Sequence, residues 1–135
     1  MRSQVSSLSS DGIRQRSETS GEPGWLTELR LGALAAYGKL PAPAYPRTDL
    51  SKVDLEGLAR KATGGSVRAT HAAPKGSGVI VTDLATAARE HPELVRPHLL
   101  QSTVLPEEGK VEALHATLWN AGTFMYVPKL SLIHI

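Results

Sequence analysis

The 135-residue chain contains no cysteine. That excludes disulfides, zinc ribbons, thiolate-ligated iron–sulfur clusters and a cysteine nucleophile together. It fits a reducing compartment. No apolar run approaches the ~18 residues needed to span a bilayer, and the N-terminus lacks the apolar core of a secretory signal. Its Ser/Arg-rich start has the look of a transit peptide, but Asp11 and Glu18 argue against one. A charge surplus is also missing, because 15 Lys+Arg face 13 Asp+Glu for a formal net charge of +2. No basic stripe of the kind that marks a nucleic-acid binder is present. The chain therefore reads as soluble and intracellular, with a cytoplasmic location expected.

What is present suits one domain with a modest core: 41% hydrophobic and 21% charged residues. A chain of this length buries roughly two-thirds of its unfolded surface when most of it folds. Residues 1–20 hold seven serines, with Val5, Leu8 and Ile13 the only sizeable apolar groups after Met1. So little burial is expected to leave this stretch a disordered tail. Glu22 and Pro23 then open a helix, since a proline in the first turn lacks only an N–H that had no partner there. Trp25, Leu29, Ala33, Ala36 and Leu40 recur on one face, widened by Leu26 and Tyr37, while Glu28, Arg30 and Lys39 lie mostly off it. Pro41 and Pro43 stop the helix.

After an extended Pro-rich stretch over residues 41–50, a short helical turn is expected near residues 54–61. These close an N-terminal helical segment, residues 21–61. Residues 62–77 form a Gly-rich linker with a single large aliphatic, Val67. An α+β segment follows over residues 78–129. Val79, Ile80 and Val81 predict a buried strand, Thr82 or Asp83 caps a helix over residues 84–91, and Pro92 restarts a helical turn. A strong helix is expected over residues 107–120, with Val111, Leu114, Leu118 and His115 inward and Ala121-Gly122 as its stop. Residues 123–127 make a second strand, closed by Pro128. The fold class is α+β, helix-rich with two short strands.

No catalytic, cofactor-binding or metal-ligating residue emerges from this pass. Glu112 and His115 make one Glu-x-x-His pair, but di-iron carboxylate bundles need two copies plus two further inward glutamates. A packed or surface histidine is the simpler reading. His91 and His98 flank Pro-Glu-Leu-Val-Arg-Pro and lack the i, i+4 spacing of a zinc-protease helix. Gly76-Ser77-Gly78 precedes a strand instead of joining a strand to a helix, and lacks the lysine of a phosphate loop. There is no Gly-x-Ser-x-Gly elbow. Trp119 and Phe124 read as core, Asp83 as a cap, and Arg89 and Glu90 as a solvated face.

Four segments gain meaning together. Residues 22–31 (EPGWLTELRL) resemble the EPxWLxxLRLxAL opening of the SufD family, components of the SUF iron–sulfur cluster assembly system. Leu40-Pro41 followed by residues 47–50 (RTDL) is similar to that family's LP…RTDL stretch. Residues 78–95 (GVIVTDLATAAREHPELV) resemble its GVIFTDLxxAxREHPELV, and residues 114–129 (LHATLWNAGTFMYVPK) its LHAALWNGGTFxYVPK. The paralogous SufB family reads LNSAVWSGGSFxYVP at the last motif, so His115, Asn120 and Thr123 favour SufD.

The resemblance implies the N-terminal fragment of a scaffold, not a classical enzyme. Its partners would be a SufB-like paralogue and a SufC-like ATPase, in a SufBCD complex that handles the iron–sulfur cluster. No cofactor is expected in the fragment. The family fold continues into a right-handed parallel β-helix, with residues 123–127 leading into it, and the cluster-assembly residues lie beyond this stretch. Residues 130–135 (LSLIHI) depart from the family. That hexapeptide is what CTG-TCT-CTT-ATA-CAC-ATC encodes, a transposon end used in sequencing-library adapters, so it is expected to be a non-native, adapter-derived end. Two other classes stay open: a standalone α+β interaction module, and a small metal or hydrolytic enzyme using His91, His98 and His115.

Overall fold

The fold was obtained as a computed structural model that describes residues 8–50, 52–62, 73 and 75–129. It contains six helices and two strands among those residues: α1 (Ser10–Ser20), α2 (Gly24–Lys39), α3 (Leu55–Ala62), β1 (Ile80–Asp83), α4 (Leu84–Glu90), α5 (Pro92–Val95), α6 (Lys110–Leu118) and β2 (Thr123–Tyr126). The α+β class follows directly, with helices dominating one two-stranded antiparallel sheet among the described residues.

The first helix corrects the expectation of disorder over residues 10–20; residues 1–7 of that stretch lie outside the described residues. Both ends of α1 are locally satisfied. Ser9 Oγ accepts from the Gly12 N–H at 3.0 Å, an N-cap that occupies one of the helix's orphan donors. At the other end Gly21 sits at φ 63°, and the Gly21 and Glu22 N–H groups donate back to the Glu18 and Ser17 carbonyls. This pair of bonds is a Schellman closure, and it needs a residue that tolerates the left-handed region. Tertiary burial completes the case, because Ile13 is wholly inaccessible and joins Tyr37, Ala113, Leu114 and Leu118 in one core cluster. Full burial of one such side chain contributes about 1.5–3 kcal/mol. A serine-rich composition concealed one decisive apolar contact.

The centre of the molecule is the packing of α2 against α6. On α2 the buried residues are Leu26, Arg30, Ala33 and Tyr37, a 4-3-4 spacing. The sequence-derived stripe is thus corrected by rotation: Leu26 and Tyr37 lead it, and Arg30 lies within it. On α6 the buried set is Ala113, Leu114, Ala116, Thr117 and Leu118, whereas Val111 and His115 face solvent. Small residues at 33, 113 and 116 let the two helices approach closely. The helix is also shorter than expected, starting after Gly109 and capped at Trp119. Lys110 Nζ reaches across to the Tyr37 and Leu40 carbonyls at 2.9 and 3.2 Å and lies 4.3 Å from the Tyr37 ring centroid. It thereby satisfies orphan acceptors at the C-terminus of α2.

A second cluster gathers Leu26, Ala87, Ala88, Val95 and Trp119, so α2 touches one core at each end. The strands pair antiparallel in the register Ile80↔Tyr126 through Asp83↔Thr123. β1 is half-buried along its length, not fully buried as its β-branched run suggested, and begins at Ile80. Leu84 N–H donates to the Gly122 carbonyl at 2.9 Å. A Cβ on Gly122 would stand 2.9 Å from Leu84 Cδ2, so this glycine permits a close approach and does not end α6. Asp83 Oδ1 accepts from the Thr86 N–H at 2.8 Å and starts α4, as the cap reading anticipated. α3 is a full eight-residue helix whose Leu55 and Ala59 pack on the first cluster. Of the expected linker, residues 63–72 and 74 lie outside the described residues, as do residues 130–135.

Two outcomes follow. Ile13→Ala should cost about 2–4 kcal/mol in urea unfolding; no measurable change would return residues 10–20 to the status of a tail. The hydrogen bond from Thr86 holds the Asp83 carboxyl below its ordinary value, outweighing the opposing effect of burial. A depressed folded-state pKa gives stability that is fully present above the ordinary aspartate range and is lost as pH falls through that range toward the folded value. Asp83→Asn should therefore weaken the chain at neutral pH and converge with the wild type on acidification; parallel curves would contradict this.

Candidate functional site

The densest polar arrangement lies where α1, α2 and the C-terminus of α6 meet. Arg30 is 1% exposed, the largest fully buried side chain among the described residues. Its Nε and Nη2 donate to Glu22 Oε2 and Oε1 at 2.9 and 2.7 Å, a two-pronged ion pair. Nη1 donates to the Thr117 carbonyl at 3.0 Å, and the guanidinium stacks 4.5 Å from the Trp119 ring centroid. Ser17 Oγ donates to the same Glu22 oxygen at 2.9 Å. The planar fork of arginine suits this geometry as lysine would not.

A second guanidinium borders the first. Arg16 Nη2 donates to the Leu118 and Trp119 carbonyls at 3.0 and 3.1 Å, fastening α1 to the end of α6. Burial and the neighbouring Arg30 charge lower the Arg16 pKa, with Glu22 opposing. Arg16 Nη1 is inaccessible and has no hydrogen-bond partner among the described residues. Every bond in this cluster runs between segments of the chain, so its chemistry is that of a fastener. Sequence reasoning placed Arg30 on the outer face and missed it. The signal was the 4-3-4 run of Leu26, Arg30, Ala33 and Tyr37, with a glutamate eight residues upstream.

The residues singled out for chemistry are not brought together. His115 is exposed on α6 beside a groove of about 360 Å³ between α3 and α6, lined mainly by Leu55, Leu58, Val111, Leu114 and Leu118. Glu112 lies on the neighbouring side of α6, its carboxylate folded back toward Gly109. His91 sits between α4 and α5 with Nδ1 3.8 Å from Glu93 Oε1. His98 borders a separate groove of about 480 Å³ formed by β2 with Leu84, Leu94, Val95 and Leu99. Among the described residues no three His, Asp or Glu side chains stand close enough to hold a metal ion. Gly76 and Gly78 adopt φ 79° and 68°, a tight turn into β1 with no following helix N-terminus to cradle phosphate. Trp119 is buried and Phe124 packs against the same cluster, in keeping with the core reading. Arg89 is exposed, donating to Thr86 Oγ1 and, at 3.5 Å, to the Ser20 carbonyl.

The fastener has a measurable signature. Arg30→Met strands the Glu22 carboxylate in a site that leaves it 7% exposed, at a cost of about 3–5 kcal/mol. Adding Glu22→Leu should recover part of that loss, because the uncompensated charge is then gone. Denaturation of both single variants and the double variant tests this, and strictly additive costs would contradict it.

Comparison with known proteins bears on what this arrangement belongs to. The family model for the SufBD protein N-terminal region matches residues 65–134. The iron–sulfur cluster assembly protein SufD of Bacillus subtilis (strain 168) is 31% identical over 158 residues, covering 91% of this chain and 36% of the relative. An iron–sulfur cluster assembly SufBD family protein of Staphylococcus saprophyticus is 25% identical, covering 90% of this chain and 35% of that protein. One from Mycobacterium tuberculosis (strain H37Rv) is 23% identical, with 90% and 19% covered. The chain thus spans about a third or less of the length of these relatives. With the family match extending over more than half of its residues, the chain belongs to the SufBD family.

Proposed function

We propose that the chain supplies the N-terminal part of a SufD-like scaffold that acts in iron–sulfur cluster assembly. The observation that carries this reading is the 31% identity to a SufD protein across nine-tenths of the chain. The structure adds a physical reason to treat the matching motifs as one unit. β1, from the motif at residues 78–95, pairs with β2, from the motif at residues 114–129. Leu26 and Arg30, from the motif at residues 22–31, pack into Trp119 and bond Thr117 of that same motif.

The role is structural support, with the cluster as cargo of the assembled complex. The buried cluster spends its hydrogen bonds on joining helices, and the two grooves are lined mainly by apolar side chains. Working partners are a SufB-like paralogue and a SufC-like ATPase, and the site of action is the cytoplasm. No described helix is long and apolar enough to cross a membrane. In this proposal β2 leads into a right-handed parallel β-helix, and residues 130–135 are replaced in the natural protein by its first downstream strand.

The test starts at the source locus, amplified across codon 129 and sequenced onward. The full-length product, co-expressed with SufB-like and SufC-like proteins from the same source, should co-purify with both as a stoichiometric complex. Recovery of the full-length protein alone, with a SufB–SufC complex forming without it, would overturn the proposal.

A further inference from the structure

We draw no further inference here: the strongest candidate, the apolar groove between α3 and α6 bordered by Leu55, Leu58, Val111 and Leu118, is an unpartnered face, and nothing in the structure shows what covers it.

Discussion

A guanidinium taken out of water must be matched by fixed acceptors, and Arg30 is matched by Glu22 and the Thr117 carbonyl. The rest of the structure is arranged around that requirement. Glu22 lies in the turn between α1 and α2, so holding Arg30 fixes the angle at which the chain passes from one helix to the next. Ser17 on α1 shares Glu22, and Arg16 reaches the carbonyls that end α6. Three helices are thereby joined at one point. Such a pair adds little net stability compared with a well-packed apolar core, but it penalises every arrangement that separates its members.

The two hydrophobic clusters sit on either side of this junction. Ile13, Tyr37 and Leu114 belong to one, and Leu26, Ala87, Val95 and Trp119 to the other. Trp119 links them in function: its ring covers Arg30, its carbonyl receives Arg16, and its side chain packs beside α4. The antiparallel pair of β1 and β2 is tied to the same place through Gly122 and Leu84. The segments that resemble SufD at residues 22–31, 78–95 and 114–129 are neighbours in space for this reason.

Much of the secondary structure was legible because local rules agree with the fold. Pro23 and Pro41 bound α2, Asp83 caps α4 and Pro92 starts α5. The failures share one cause, which is that the stabilising partner is distant in sequence. α1 is held by carbonyls about a hundred positions away, so its own composition looked too polar to fold. Arg30 reads as a surface residue until Glu22 is placed beside it. The inner face of α6 is the one that packs on α2, burying Ala113, Leu114, Ala116, Thr117 and Leu118 and leaving Val111 at the surface, a choice that only the distant partner helix makes. The histidines singled out by their spacing lie apart, His91 between α4 and α5, His98 beside β2 and His115 on α6, because each is set by a different element. The family was legible from the motifs alone, and the comparison with known proteins shows it independently.

The central claim is that the Glu22–Arg30 junction makes α1, α2 and α6 one cooperative unit. Native-state hydrogen exchange on the wild type and on Arg30→Met tests it most directly. The account predicts that slow amides in all three helices open with a common free energy in the wild type, and that the substitution lowers all three together. Exchange in α1 that is already fast in the wild type, or a loss of protection confined to α2, would contradict it.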